Sequence, residues 1–384
     1  MCRFSRVCRL ACALLATVAS LGFSFQVAAQ SGAVVGNTIK VGFSGPLTGP
    51  LGELGMEYVS GANLLFDEVN RNGGIHGRPI RLIVVDDGYK PDQTEANVKE
   101  LIEQEKVFAL YGVLGTPQNM RAIPLANAAR IPLFAPYTGA DALRETHSPY
   151  VFHVRASYAR EIEAMIEHLI SLGVTSIGVV HLPNAFGKAG VAAAESALAK
   201  HGRPPLNLIA PLETSGENAA QVARQVAKAN PSALIMAVAG DSTAALVHAL
   251  SANETKPMLL GLSVFGSRQL VDEVGPEAHG VVQSQVVPSP FRIDHPVVRE
   301  YRRLAKAKGI GYSYTTLESY ITAKIFTEAL RRAGKDLTRE RLMAALETLN
   351  EWDVGGLAVT YSPTDHVALD FVDLSIISHG RFSH

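Results

Sequence analysis

The stretch Ile39-Lys40-Val41-Gly42-Phe43-Ser44-Gly45-Pro46-Leu47-Thr48-Gly49-Pro50 sets the pattern for the rest of the chain. A short β-rich run, Ile39–Phe43, breaks at Gly45-Pro46 into a loop of small and hydroxylated residues. A helical pattern follows, with Val59, Ala62, Phe66 and Val69 at three- and four-residue spacing, and Asn72-Gly73-Gly74 stops it. The unit then recurs. Strands are expected at 81–85, 108–113 and 132–136, with helices from about 93 to 104 and from Thr116-Pro117, where Thr is placed as N-cap and Pro at the first helical position. A second array starts after a β run at 150–154. Its helices are expected near 159–172, 188–200, 218–229 and 241–250, and its strands at 176–181, 206–210, 233–239 and 258–262. Residues 295–350 read as mostly helical, with strand-like pieces at 358–361 and 371–377. Continuous apolar strands alternating with amphipathic helices indicate parallel sheets covered on both faces. The fold class is therefore α/β, with two doubly wound domains.

Ahead of these arrays, residues 1–29 carry Arg3, Arg6 and Arg9 with no acid, then an apolar run from Leu10 to about Phe25, then Val27-Ala28-Ala29. This is the order of a secretory signal, with cleavage expected near Ala29 and a periplasmic destination. The run is shorter than the ~20 residues a membrane span needs. Cys2, Cys8 and Cys12 are the only cysteines in the 384 residues, and all leave with the leader. Disulfides, thiolate metal sites and cysteine nucleophiles are thereby excluded from the mature chain. The whole chain has 35 basic and 36 acidic residues. Losing three arginines leaves 32 against 36, a net charge of −4. That balance gives no electrostatic reason to expect a nucleic acid or an anionic membrane as partner.

In an open parallel sheet, ligands bind beyond the carboxyl ends of the strands, at loops leading into helices. Four loops fit: Gly45–Pro50, Leu114-Gly115-Thr116-Pro117, Tyr137-Thr138-Gly139-Ala140 and Pro183-Asn184-Ala185-Phe186-Gly187. Small residues bring backbone N–H groups close to a ligand, threonine hydroxyls donate or accept, and a helix N-terminus favours an anion such as a carboxylate. Thr116 and Thr138 could instead serve only as caps. Enzyme readings find no support: there is no Gly-x-Ser-x-Gly elbow, no Gly-x-Gly-x-x-Gly, no P-loop and no histidine pair at metal-ligand spacing. Asp86-Asp87 ends a strand, and adjacent strand residues point to opposite faces, so loop and capping roles are expected of them. No catalysis, cofactor or metal is expected.

These motifs, taken in order, resemble the branched-chain-amino-acid-type (type I) periplasmic binding proteins. The resemblance is carried by Ile39-Lys40-Val41-Gly42 with Gly45-Pro46-Leu47-Thr48-Gly49, by Asn72-Gly73-Gly74-Ile75 with Gly77, and by Asp86-Asp87 with Pro91. Tyr137-Thr138-Gly139-Ala140, Phe152–Arg155 and Phe186-Gly187 continue it. It implies a monomeric solute receptor, with two Rossmann-like lobes and a ligand cleft between them, that closes on a small-molecule ligand and delivers it to the membrane permease of an ABC importer. It further implies one lobe from 38–156 with 288–355 and another from 157–287 with 356–384. The ligand carboxylate and amine would lie on Leu114, Gly115, Thr116, Tyr137, Thr138 and Gly139, with Phe186 covering them from the second lobe. Two positions depart from the family pattern: Leu54 stands where an aromatic is expected, and Ser263 where an acid would pair with a ligand ammonium. A small carboxylate or amide ligand is accordingly favoured over an ordinary amino acid, unless Asp241 supplies the missing acid. A ligand-sensing module for a membrane signalling protein and a secreted α/β hydrolase are the alternatives.

Overall fold

The computed structural model describes residues 36–253, 256–265 and 270–383, and the leader expected over 1–29 lies outside them. The first array runs β1 (Ile39–Gly45), α1 (Gly52–Arg71), β2 (Ile80–Asp86), α2 (Pro91–Glu103), β3 (Ala109–Tyr111), α3 (Thr116–Ala128), β4 (Leu133–Phe134) and β5 (Val151–Phe152). Its five strands are parallel in the order β2-β1-β3-β4-β5, with Ile39 opposite Ile80 and Val41 opposite Ala109. The strand order reverses direction at β1, so the loops after β1 and β3 flank the crevice in which such sheets hold ligands.

The second array runs α4 (Tyr158–Ser171), β6 (Ile177–His181), α5 (Ala185–Lys200), β7 (Leu208–Pro211), α6 (Ala219–Ala229), β8 (Ala233–Ala237), α7 (Asp241–Ser251), β9 (Met258–Gly261) and β10 (Val282–Gln285). After it come α8 (Pro296–Ala307), α9 (Tyr314–Ala333), α10 (Arg339–Glu347), the small hairpin of β11 (Trp352–Asp353) and β12 (Ala358–Val359), then β13 (Asp373–Ser378) and β14 (Arg381–Ser383). The second sheet has the order β14-β13-β10-β9-β8-β6-β7. Strands β7, β6, β8, β9 and β10 are parallel, and β13 and β14 add to the β10 edge antiparallel.

Helix α9 is almost wholly buried, which explains why its sequence lacks a clean polar face. It lies against α1: the Ser319 hydroxyl donates to the Tyr58 carbonyl at 2.5 Å. Gly61 on α1 permits the approach, since a Cβ there would stand 2.2 Å from the Thr316 carbonyl oxygen. Ser313 caps α9 by accepting from the Thr316 N–H, and Thr316 returns the contact to the Ser313 N–H. Around this pair Phe66, Tyr111, Phe134 and Phe326 meet ring to ring at centroid distances of 5.1–6.5 Å. Two stretches of chain then run side by side: His153 N–H donates to the His366 carbonyl, Ala368 N–H to the His153 carbonyl and Leu369 N–H to the Val154 carbonyl. Among the described residues no helix is long and apolar enough to cross a membrane.

Three features differ from the sequence expectation. Helix α1 begins at Gly52, six residues earlier than its apolar spacing indicates, because Leu51 and Leu54 are buried by tertiary packing. Strands β10, β11 and β14 were not expected: β10 is the run Val-Gln-Ser-Gln, whose polar side chains are buried, Ser284 bonding Glu161 and Gln285 bonding Ser375. The N-cap of α3 is Gly115, and Thr116 is its first helical residue.

Candidate functional site

The loops after β1, β3, β4, β6 and β8 converge on one small cavity. It is lined by Leu54 and Leu51 from the start of α1, Leu114, Gly115 and Thr116 from the β3–α3 loop, Tyr137 after β4, and Phe186 on α5. Tyr89, Tyr158, Ala239 and Val264 complete the wall. No lining residue carries a formal charge. The space it offers is about 20 Å³ and partly open to solvent, enough for a water molecule and little more.

Thr116 is the polar focus of this wall. Gly115 turns the chain at φ 107°, and a Cβ there would stand 2.0 Å from the Gln118 side-chain oxygen and 2.8 Å from the Tyr89 ring. The turn carries Thr116 into the helix rather than ahead of it, so its hydroxyl caps nothing and instead meets the Thr138 hydroxyl at 2.7 Å. Thr138 Oγ1 also accepts from the Ala140 N–H at 3.2 Å. Either hydroxyl can donate in this pair; with Thr138 as the donor, the Thr116 proton is left for a group in the cavity. Thr138 thus acts from behind Thr116, and Gly139 lies behind as well, its carbonyl accepting from the Tyr158 N–H at 2.7 Å.

The aspartate pair after β2 organises the approach. Burial opposes ionisation of Asp86, but donation from the Leu47 N–H (2.8 Å), the Thr48 hydroxyl (2.6 Å) and the Gly88 N–H (2.9 Å) holds its carboxyl below the ordinary value. Asp87 is fully inside, where burial raises it, and it accepts from Ser44, Thr94 and the Tyr89 N–H. The two carboxylates therefore fix the β1–α1 loop and place Tyr89 in the wall. They do not face one another as an acid–base dyad, as the alternation along a strand requires.

From the other side, Asn184 caps α5 by accepting from the Phe186 and Gly187 N–H groups at 3.0 and 3.2 Å. That cap sets Phe186 edge-on against Tyr158, with centroids 5.3 Å apart. The β8–α7 loop completes the closure: the Asp241 N–H donates to the Pro50 carbonyl at 3.0 Å. The side chain of Asp241 is exposed and outside the cavity lining, so its position does not supply an acid to the wall.

Ser263 is buried one layer behind the wall, in a polar network the sequence did not reveal. The Arg155 guanidinium donates to Ser263 Oγ; Ser263 in turn gives its N–H and hydroxyl to Glu161 at 2.8 and 3.0 Å, and Ser284 adds a 2.6 Å bond to the same carboxylate. Arg155 also lies 3.5 Å from Glu318 on α9 and 3.7 Å from Glu161. Its guanidinium carbon sits 4.5 Å from the Tyr137 ring centre and 5.9 Å from that of Tyr158, both in the cavity wall. Burial pushes the Glu318 carboxyl up to about 7, with Arg155 opposing and Glu161 adding. Burial works against the charge on Arg155, but Glu318 and the other partners more than offset it and raise its pKa. The available sequence signals were an arginine in an apolar β run and a glutamate on the buried face of α9.

Of the residues expected to bind, Leu54, Leu114, Gly115, Thr116, Tyr137 and Phe186 meet at the cavity, while Thr138, Gly139, Asp241 and Ser263 do not line it. Leu51, Tyr89, Tyr158, Ala239 and Val264 were not foreseen, being apolar or aromatic residues with no motif of their own.

The family model described as periplasmic binding protein matches residues 38–371. A possible leucine/isoleucine/valine-binding protein from Rhodopirellula baltica SH 1 has a solved structure that superposes with a TM-score of 0.84 at 31% identity, covering 90% of this chain and 96% of that one. A substrate-binding periplasmic protein from Ralstonia solanacearum superposes at 0.81 with 33% identity, covering 89% and 98%. A curated relative, an amino acid binding protein from Pseudomonas aeruginosa, is 35% identical over 74 residues, which span 19% of this chain and 20% of that protein. With two α/β sheets of type I topology and a match over most of its length, the chain belongs to the periplasmic binding protein family.

Proposed function

We propose that this protein is the extracytoplasmic receptor of an ABC importer, exported by its leader, and that it carries a small solute with a carboxylate or amide head and an apolar body. The observation that supports this reading is a cavity wall offering the Thr116 hydroxyl at the start of α3, surrounded by Leu51, Leu54, Phe186 and three tyrosines, with no acid in the lining. The partial positive charge at the α3 N-terminus and the Thr116 proton suit a carboxylate or amide oxygen. An α-ammonium would find no carboxylate there, forgoing a charge-assisted bond of about 1.5–3 kcal/mol. The relatives' names, which include amino acid and leucine/isoleucine/valine binding, keep a branched-chain amino acid as the second reading.

The mechanism follows from closure. The cavity's ~20 Å³ cannot admit such a solute from outside, so loading requires the two sheets' loops to part and then close over the ligand. The ligand favours the closed form by bridging Thr116 on one side and Phe186 on the other. A thermal-shift panel of monocarboxylates, their amides, dicarboxylates and amino acids tests the reading. Selective stabilisation by monocarboxylates or amides supports it; selective stabilisation by dicarboxylates or amino acids overturns the assignment of the head group.

A further inference from the structure

A second cavity, of about 120 Å³, lies apart from the first, between the 143–148 turn and the 364–367 stretch. This volume is well above the ~10–15 Å³ that one water requires. Its wall includes Arg144, His147, His153, Asp365 and His366. The Arg144 guanidinium is committed on one edge, donating to the Arg155 carbonyl at 2.9 Å and the Thr138 carbonyl at 2.8 Å. Its Nε is buried without a hydrogen-bond partner, and among the described residues no carboxylate lies within ion-pair distance of it. His153 is 4% exposed, and its Nδ1 is likewise buried and unpartnered. His366 stacks on Phe152 at 3.8 Å and touches His147 edge-on at 4.6 Å. Its Nδ1 lies 3.0 Å from the Val151 carbonyl, which fixes Nδ1–H as a donor, and its Nε2 is 3.4 Å from Glu347.

We propose that this cavity is a second binding site, for a small oxyanion, with Arg144 Nε–H as its donor and His153 in its wall. A buried guanidinium excludes a cation, and an unpaired guanidinium N–H in a polar cavity asks for an acceptor oxygen. Burial lowers the pKa of both Arg144, to about 10, and His153, with Arg144 and His366 adding to the effect on His153. A bound anion relieves these costs. Arg144, with Arg155 behind it, favours an anion here; Asp141 and Glu161 near Arg144, Asp365 at the rim, Glu145 beside it and Glu347 beyond His366 oppose it, and His147, His153 and His366 complete the titratable groups of the wall. Because Arg144 also holds the carbonyl of Thr138, the site adjoins the loop that orients Thr116, yet its occupancy is measurable without any transported solute.

The test is a titration of the mature protein with sulfate against sodium chloride of equal ionic strength, followed by histidine ¹H–¹⁵N spectra. The expected result is a saturable shift of the His153 imidazole signals at millimolar sulfate, lost in Arg144→Gln. Asp365→Asn, which removes a rim charge and leaves the buried groups alone, should tighten binding about threefold. Shifts no larger than those in chloride would overturn the proposal. So would saturable binding that Asp365→Asn leaves unchanged, which decides the matter even if Arg144→Gln fails to fold.

Discussion

Gly240 lies directly against Pro50: a Cβ on Gly240 would stand 2.1 Å from the Pro50 carbonyl oxygen. One residue belongs to the loop after β8 in the second sheet and the other to the loop after β1 in the first, and Gly240 holds φ at 67°. The next residue's N–H makes the 3.0 Å bond across the gap. Gly240→Ala therefore strains the loop and obstructs closure, its added Cβ also standing 3.1 Å from Leu51 Cγ in the cavity wall. Its solute affinity should fall about tenfold or more, while scattering shows a more open form in the presence of ligand. Unchanged affinity would show that this contact has no part in closure.

Thr116→Val keeps the shape of the wall and deletes the threonine hydroxyl at the start of α3. Losing a hydrogen bond to a carboxylate costs roughly 1.5–3 kcal/mol, or about ten- to a hundredfold in affinity. Titration calorimetry checks this. The melting temperature of the unliganded protein should move little, since Thr138 keeps its bond from the Ala140 N–H.

Asn184→Ala removes the cap of α5 and frees the Phe186 and Gly187 N–H groups. About 1 kcal/mol of stability should go with it. Solute dissociation should also quicken, because Phe186 is, with Tyr158, an aromatic contact from the second array in the wall. Stopped-flow release measures the second effect, and denaturant titration the first.

Glu318 has a folded pKa near 7 against an ordinary value of 4.5, so the folded state holds a proton that the unfolded chain releases. The stability tied to that proton is present below the unfolded value and is lost as pH rises through about 7, by up to about 1.4 kcal/mol per pH unit. Asp87, also raised by burial, acts in the same direction. His153 and His366, both lowered, act oppositely and lose stability on acidification. Glu318→Gln mimics the protonated carboxyl, so between about pH 5 and pH 7.5 its melting temperature should decline less with rising pH than that of the wild type. Parallel curves for the two proteins would remove Glu318 from this role.

The order of most elements was legible because most of the parallel strands are apolar runs and most helices have a periodic face, as in 177–181 and 219–229. Element ends were less so: α1 extends back to Gly52 on the strength of tertiary burial at Leu51 and Leu54, which no local spacing marks. Strand β10 escaped notice because its residues are polar and find their partners in Glu161, Gly261 and Ser375, far away in sequence. At the site, glycine and threonine at strand ends pointed to Gly115 and Thr116 through turn chemistry. The Arg155–Glu161–Glu318 cluster did not emerge, because its members lie on three separate elements and become a unit only by burial together.

The central claim is that the site reads a carboxylate or amide head without an acid to hold an ammonium. The measurement that tests it most directly is calorimetric titration of the mature protein with 4-methylpentanoate, its amide, and leucine, which share one carbon skeleton. The account predicts that 4-methylpentanoate or its amide binds at least about tenfold tighter than leucine, the equivalent of about 1.4 kcal/mol. Leucine binding tighter than both would contradict it and return the protein to the amino-acid receptors.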